Sequence, residues 1–208
     1  MKVAVVNYGM GNLASVRAAL RNLGAEVFIA DQPAAIAQAA RLILPGVGAF
    51  SEGMGLLWEA GWVPALRQAV IEQEKPLLGI CLGMQMLASR SYEGGETDVL
   101  NFIPGRVQRL DALGCELRIP HVGWNEVRFT SSDAIFEGIP DGSDFYFVHS
   151  YVLVPDSEKF LVATAPYGCD LSAVVRNGNV FGCQFHPEKS SKAGRQFLKN
   201  FISQPLLR

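Results

Sequence analysis

Apolar positions in the first 90 residues follow two different periods along the chain. One stretch places Leu13, Val16, Leu20 and Leu23 at the spacing of one helix face, and Gly24 follows as a stop signal. The patterns predict strands at 3–6, 26–30, 42–44 and 76–81, and helices at 13–23, at 50–73 with a break near Gly61, and at 82–87. Such alternation is typical of an α/β fold with a doubly wound, mostly parallel sheet and helices on both faces.

The second half of the chain has a different pattern, in which short apolar stretches are separated by turn residues. Turns are predicted at 140–142 (Pro-Asp-Gly) and 177–179 (Asn-Gly-Asn). The stretches predict strands at 106–110, 125–129, 145–154, 160–165, 173–176 and 179–184, and a closing helix at 191–202. Because there is no internal repeat, low-complexity tract or linker, we expect one domain over residues 1–208.

Composition and charge narrow the class of protein. The 208 residues are 49% apolar and 18% charged, which is enough apolar material for a core. A net charge of −2 without clustered Lys and Arg argues against nucleic-acid binding. No apolar run reaches the length of a membrane span, and the first run ends at Tyr8-Gly9, too early for a signal peptide. We therefore expect a cytoplasmic protein with no membrane partner.

Cysteine spacing and glycine spacing argue against a bound metal or cofactor. The chain has four cysteines, Cys81, Cys115, Cys169 and Cys183. No two of them form a CxxC pair, so zinc is not expected, and in the cytosol a disulfide is not expected either. Gly9 and Gly11 match the start of a dinucleotide-binding loop, but Ala14 stands where the third glycine belongs.

Cys81 differs from the other cysteines because it lies between Gly79 and Gly83, where a predicted strand runs into a predicted helix. This is the pattern of a nucleophile elbow, a tight turn that projects the central side chain above the sheet. The helix N-terminus beneath the sulfur would favour the reactive thiolate, and the amide of Leu82 would point to the same place. The alternative is an inert cysteine in a glycine-bounded turn.

A cysteine nucleophile needs a base, and His186 is the best candidate among three histidines. It follows a predicted strand, and Pro187 favours an extended conformation at His186. Residues two apart in an extended chain share a side, so Glu188 can approach His186 and orient its ring. For His121 and His149, spacing alone leaves a structural role open.

A third feature suggests donors for an oxyanion. Gly46 and Gly48 lie between a predicted strand and a predicted helix, and glycine lets backbone amides turn toward a site at the strand end. In a doubly wound sheet, ligands bind at these strand ends, where Cys81 is also expected.

The elbow Gly79-Ile80-Cys81-Leu82-Gly83 together with His186-Pro187-Glu188 resembles the class I, or triad, glutamine amidotransferases, which have a flavodoxin-like fold. Further segments resemble one branch of them, the glutaminase subunits of imidazole glycerol phosphate synthases: Tyr8-Gly9-Met10-Gly11-Asn12, Pro45-Gly46-Val47-Gly48-Ala49-Phe50, His121-Val122-Gly123-Trp124-Asn125, Tyr146-Phe147-Val148-His149-Ser150-Tyr151 and Gln184-Phe185-His186-Pro187-Glu188-Lys189-Ser190. The resemblance spans residues 3–200, nearly the whole chain.

The resemblance implies that Cys81, His186 and Glu188 form a catalytic triad that hydrolyses glutamine through a thioester. It implies two further sets of residues: backbone amides of Val47, Gly48 and Leu82 at the oxyanion, and Gln85, Glu93, His149, Ser150 and Tyr151 around the substrate. Without the resemblance, Glu93 would be interpreted as a solvated loop carboxylate.

The resemblance also implies a partner, the (β/α)₈ cyclase subunit of imidazole glycerol phosphate synthase in a heterodimer. Ammonia would pass through that barrel to a nucleotide substrate in histidine biosynthesis. Trp124, Tyr146 and Lys189 match positions at the family's subunit interface, although a lone Trp is more often a core aromatic and a lone Lys a solvated charge.

Two other interpretations remain open from the sequence. A paralogous triad glutaminase could supply ammonia to nucleotide-sugar, anthranilate, pyridoxal phosphate or guanylate synthesis. A catalytically inactive interaction subunit on the same fold is the alternative from another class, and the complete set of Cys81, His186 and Glu188 argues against it.

Overall fold

A computed structural model describes residues 1–93 and 99–204. Helices span Leu13–Asn22 (α1), Phe50–Glu59 (α2), Trp62–Arg67 (α3), Leu82–Met86 (α4) and Ser191–Ser203 (α5). Strands span Lys2–Val6 (β1), Glu26–Ala30 (β2), Arg41–Gly46 (β3), Leu77–Cys81 (β4), Arg90–Ser91 (β5), Gly105–Arg109 (β6), His121–Phe129 (β7), Ser143–His149 (β8), Tyr151–Pro155 (β9), Leu161–Pro166 (β10), Asp170–Asn177 (β11) and Val180–Cys183 (β12). None of the helices in these two ranges is long and apolar enough to cross a membrane.

Nine strands form one mixed sheet in the order β2-β1-β3-β4-β12-β11-β10-β7-β8. The five strands from β2 to β12 are parallel, and the remaining four add to them as antiparallel neighbours. The predicted α/β class is confirmed. Four of these five parallel strands, β1 to β4, lie in the part of the sequence where helices alternate with strands, because parallel neighbours need crossover connections whereas antiparallel neighbours need only turns.

Alternating side chains of the central strands pack into two separate hydrophobic cores, one on each face of the sheet. In β1, Val3 and Val5 face the core built with α1 and α5. Ala4 and Val6 face the core built with α2 and α3. This is the period of two expected for a strand that is buried on both faces. The predicted helical cover on both faces is therefore present.

The predicted single strand at 145–154 was wrong, because the chain bends at Ser150. Ser143–His149 is the edge strand of the large sheet, whereas Tyr151–Pro155 pairs with β6 in a separate three-stranded sheet. Apolar residues continue on both sides of the bend, since β8 buries Phe145 and Phe147 and β9 buries Val152 and Leu153. The bend places residues 148–151 beside the end of β4, where Cys81 lies.

Gly83 lies so close to β3 that no side chain fits there. A Cβ atom at Gly83 would lie 1.8 Å from the carbonyl oxygen of Leu44, which is backbone and cannot move aside. We expect Gly83→Ala to lower the free energy of unfolding by about 3 kcal/mol or more, as overpacking does in rigid cores. Urea unfolding followed by circular dichroism measures this change.

Gly55 provides the matched control, because it lies in α2 with nothing within 4 Å of an added Cβ. Gly55→Ala is expected to leave stability unchanged or raise it by up to about 1 kcal/mol, since alanine is the better helix former. Equal unfolding midpoints for the two variants would contradict the close contact between the elbow and β3.

Candidate active site

Cys81 lies at the junction where β4 ends and α4 begins. Its backbone has φ 55° and ψ −109°, a left-handed conformation that L-residues rarely adopt. Such strain is held in place by surrounding structure and is concentrated at functional sites. The sulfur lies 3.8 Å from the carbonyl oxygen of Val148 and 3.7 Å from Nε2 of Gln184. The geometry is that of the elbow expected from the two flanking glycines.

His186 and Glu188 form a buried pair three residues beyond the end of β12. Nδ1 of His186 lies 2.9 Å from Oε1 of Glu188, and the two side chains are 2% and 1% exposed. Burial alone would lower the pKa of His186, but interactions with Cys81 and Glu188 outweigh it and raise that pKa to about 9. Since Nδ1 is bound by Glu188, Nε2 is the ring nitrogen left for Cys81. Nε2 is buried and has no hydrogen-bond partner among the described residues.

The register between β4 and β12 brings the cysteine and histidine segments together. Gly182 is paired with Gly79, and Cys183 with Ile80, so the two strands end at the same edge of the sheet. Gly182 keeps this approach open, because a Cβ there would lie 2.7 Å from Cγ of Met84 in α4. Two segments about 100 residues apart in sequence thus meet through parallel pairing.

A cavity of about 450 Å³ opens above Cys81, a size typical of small-molecule sites. It is lined by Val47, Gly48, Ala49, Cys81, Leu82, Gln85, Glu93, Pro120, Val148, His149, Ser150 and Tyr151. The lining includes all eight residues expected at the oxyanion and around the substrate. A second cavity, of about 520 Å³, lies at the opposite end of β12 and is lined by no cysteine or histidine. The smaller cavity, which contains Cys81 and His149, is therefore the candidate active site.

Known proteins match the chain over nearly its full length. The glutamine amidotransferase class-I family matches residues 4–204. The imidazole glycerol phosphate synthase subunit HisH of Moorella thermoacetica is 51% identical over 96% of this chain and 93% of that protein. Subunit HisH 1 of Campylobacter jejuni (strain 81-176 of serotype O:23/36) is 45% identical over 96% and 98%. The chain belongs to the class-I glutamine amidotransferase family.

Solved structures share the fold at lower sequence identity. A crystal structure described as a glutamine amidotransferase superimposes with a TM-score of 0.75 at 24% identity, over 96% of this chain and 98% of that one. The PurLQS structure from Thermotoga maritima gives a TM-score of 0.71 at 20% identity, over 97% of both chains. They show that this amidotransferase has the overall fold of those two proteins.

Glu93 lies at the rim of the amidotransferase cavity, near the N-terminus of α2. Burial raises the pKa of its carboxyl group, and a hydrogen bond from the backbone of Phe50 opposes that shift. A half-buried carboxylate gains stability from a cationic ligand group, because the opposite charge offsets the loss of solvation. The glycines that follow Glu93 lie outside the described residues.

His121 and His149 form a buried chain of hydrogen bonds that begins in the wall of the cavity, which His149 lines. Nδ1 of His149 lies 2.9 Å from the Tyr151 carbonyl oxygen, which can only accept, so Nδ1 carries the proton. Nε2 of His149 then accepts from Nδ1 of His121 at 3.0 Å. Nε2 of His121 accepts in turn from Asn125 at 3.2 Å. All these bonds are satisfied only when both rings are neutral.

The neutral histidines predict a loss of stability in acid. Burial lowers the pKa of His121 to about 4, and burial with nearby imidazoles lowers that of His149 to about 3. In the unfolded chain both histidines titrate at about 6.5. Below that pH the unfolded state binds more protons than the folded state. The free energy of unfolding therefore decreases as the pH falls, until the pH is below the pKa values of the folded state.

We expect His121→Asn to unfold with a weaker pH dependence than the unmodified chain between about pH 6.5 and 4, measured as the slope of unfolding free energy against pH. His186→Gln is the control. The raised pKa of His186 gives stability that is present below about 6.5 and lost as pH rises through about 9, so its removal acts on the alkaline side. Equal acid slopes for His121→Asn and the unmodified chain would contradict the neutral pair.

Trp124 is exposed rather than part of the core. It is 55% exposed and lies across from Tyr146 on the edge pair of β7 and β8, with ring centroids 6.1 Å apart. Nζ of Lys189 lies 5.8 Å from the centre of the Tyr146 ring. The neighbouring pair on these strands, Val122 and Val148, is 55% and 37% exposed. Together these residues form an apolar surface that reaches the cavity rim at Val148.

Sequence reasoning missed two buried polar side chains near the elbow. Gln184 contacts the sulfur of Cys81 and is fully buried. Tyr8 is 4% exposed, and its hydroxyl has no hydrogen-bond partner among the described residues. That hydroxyl lies 2.6 Å from where a Cβ at Gly46 would be, so it helps explain the glycine. Both residues lie inside segments that carry the family resemblance, at 8–12 and 184–190, but no role was predicted for either.

Proposed function

We propose that this amidotransferase is the glutaminase subunit of an imidazole glycerol phosphate synthase. It hydrolyses glutamine to glutamate and ammonia and passes the ammonia to a cyclase subunit. The observation that carries the proposal is the buried set of Cys81, His186 and Glu188 beneath a cavity of amino-acid size. The HisH relatives, at up to 51% identity over nearly the whole chain, support the pathway.

The reaction begins with attack of Cys81 on the side-chain amide carbon of glutamine. Nε2 of His186, whose pKa is raised to about 9, holds the thiol proton, so the thiolate forms the carbon–sulfur bond and the carbonyl π electrons move onto oxygen. Backbone amides of Val47, Gly48 and Leu82 stabilise that oxyanion. The carbon–nitrogen bond then breaks, and His186 returns the proton so that ammonia leaves. Glu188 keeps the imidazolium oriented and stabilises its charge.

Water completes the reaction by attacking the glutamyl thioester. His186 takes a proton from the water, the carbon–sulfur bond breaks, and glutamate leaves while the thiol is regenerated. We propose that Glu93 binds the α-ammonium of glutamine, since it is a half-buried carboxylate at the cavity rim. Gln85, His149, Ser150 and Tyr151 line the same space and hold the rest of the substrate.

The partner is a (β/α)₈ cyclase subunit, with which the chain forms a heterodimer. Trp124, Tyr146 and Lys189 support this proposal, because an exposed Trp beside a partly buried Tyr is typical of an interface centre and a neighbouring Lys of its polar rim. Their surface adjoins the cavity at Val148, so a partner seated there lies next to the place where ammonia forms.

Four unpaired cysteines support a cytoplasmic location.

The proposal is tested by supplying glutamine as the only nitrogen source to a cyclase barrel with its ribulosyl nucleotide. Addition of this chain is expected to yield imidazole glycerol phosphate, measured by chromatography. Free ammonia at high pH is the positive control, because it bypasses the glutaminase. A mixture that uses ammonia but never glutamine would contradict the proposal. Stimulation of a nucleotide-sugar synthase instead would favour the paralogous pathway.

A further inference from the structure

Gln184 links the nucleophile to the substrate-binding region through its side-chain amide. It directly follows β12 and is fully buried. Its Nε2 lies 3.7 Å from Sγ of Cys81, and its Oε1 accepts a hydrogen bond from Nε2 of Gln85 at 3.2 Å. Its backbone N–H donates to Ala173 in β11 at 2.9 Å, which fixes the main chain from which the amide extends.

The orientation of the Gln184 amide follows from its neighbours. Nε2 of Gln85 donates at 2.8 Å to the carbonyl oxygen of Tyr151, which can only accept. The second proton of that nitrogen must then go to an acceptor, so the oxygen of Gln184 faces Gln85. The nitrogen of Gln184 is left facing the sulfur. The amide is thus fixed as a donor to Cys81 by a chain of unambiguous partners.

We infer that Gln184 is a positioning residue for the proposed glutaminase reaction, the N–H donor that holds the thiolate of Cys81. Hydrogen bonds to a charged acceptor are about twice as strong as neutral ones. The bond therefore strengthens at the two points where sulfur carries negative charge. The first is the transfer of the thiol proton to His186, and the second is the release of thiolate when the thioester is hydrolysed.

An amide is suited to this place because it does not titrate. His186 must give up its proton during each turnover, whereas Gln184 donates throughout. Gln85 uses both of its N–H groups to hold Gln184 and Tyr151, which leaves the carbonyl oxygen of Gln85 for a ligand. Gln85 thus belongs both to the cavity wall and to the support of the donor on sulfur.

The test follows the reactivity of Cys81 toward iodoacetamide across pH, measured by mass spectrometry of its peptide. Gln184→Met keeps length and volume but removes the donor. We expect its rise in alkylation rate to move to higher pH by about one unit or more, since a hydrogen bond to a charged group is lost. Glutamine hydrolysis with the cyclase partner is expected to fall about 10- to 100-fold, mainly in kcat.

Gln184→Glu is the second variant, because it has the same shape and places a carboxylate in place of the donor. Its alkylation rise is expected to move further in the same direction. Asn200→Leu is the control for losing a buried amide: its side chain bonds to Ile135 and Glu137, away from the cavity. That variant is expected to lose stability and keep the alkylation profile of the unmodified chain.

Superimposable alkylation profiles for Gln184→Met and the unmodified chain would overturn the inference and leave a purely structural amide. The inference and the proposed function fail in different ways, although the first rests on the second. Alkylation needs no glutamine turnover, so an unmodified chain that never releases glutamate contradicts the proposed function alone. Normal turnover with an unmoved profile in Gln184→Met contradicts the inference alone.

Discussion

Replacing Cys81 with alanine is expected to reduce glutamine hydrolysis in the assembled complex by at least ~10³-fold. The reason is that Cys81 is the one cysteine that lines the described cavity, and it interacts with His186. Members of a catalytic set act as a unit, so loss of the nucleophile removes the covalent route entirely. Glutamate release measured by coupled dehydrogenase assay gives the rate.

The fold is expected to survive Cys81→Ala. Alanine is smaller than cysteine and has the same backbone strain at φ 55°, so the elbow neither gains nor loses that cost. Cys183→Ala is the matched control, because Cys183 is fully buried and lies on the strand beside Ile80. It removes a comparable sulfur and is expected to keep glutaminase activity. The same is expected for Cys115 and Cys169.

A second measurement separates loss of chemistry from loss of assembly. The Cys81→Ala complex is expected to keep making imidazole glycerol phosphate from free ammonia at high pH, because only ammonia generation is removed. Glutamine turnover that survives in Cys81→Ala would refute the proposed nucleophile. Loss of ammonia-dependent synthesis as well would show that the substitution had disturbed the partner rather than the reaction.

The parts of the fold that could be predicted from the sequence are those determined by residues close together in the sequence. The strand before Cys81 and the helix after it follow from an apolar run bounded by glycines, and the α/β class follows from their repetition. The break at Ser150 was not predictable, because apolar residues continue on both sides of it. Which sheet each half joins is decided by pairing with β6 and β7, segments far away in sequence.

The candidate site also has features that could be predicted from local sequence and features that could not. The pairing of His186 with Glu188 follows from two-residue spacing in an extended segment, which is a local property. The contact between Gln184 and Cys81 depends on the register of β12 against β4, which no spacing rule supplies. The neutral state of His121 likewise depends on burial between Phe147 and Tyr167, whose rings stack on either side of the imidazole.

The chain alone is expected to be nearly silent as a glutaminase and to be activated about 10²- to 10³-fold by a ligand-bound cyclase partner. That range is the effect of one oxyanion donor on rate. The loop that would supply the donor is at the cavity and open to a partner, since Val47 is 41% exposed. Gly48, with φ 118°, has a backbone conformation that other residues rarely adopt.

A rotation of one peptide in this loop is enough to account for the activation. Gly46 lets the peptide that carries the Val47 N–H rotate, and Gly48 does the same for the peptide that follows Val47, so either N–H can turn toward or away from the oxyanion at low steric cost. Uncoupled hydrolysis would waste glutamine, so an oxyanion site completed only by docking joins ammonia release to its use. The surface proposed for the partner, with Trp124 and Tyr146, reaches Val148 in the lining of the same cavity, so a partner docked there would lie close to the loop.

The experiment mixes this chain with a cyclase barrel, with and without the nucleotide ligand, and follows glutamate release. Trp124→Ala is the variant that distinguishes docking from catalysis: it is expected to require more partner for half-activation and to keep the basal rate of the free chain, because Trp124 lies outside the cavity. Exposed Trp58 on α2 gives a matched control, since it is 43% exposed and is not on the strands that bear Trp124. Full activity of the chain alone, unchanged by partner and ligand, would refute the coupling and favour a stand-alone amidase.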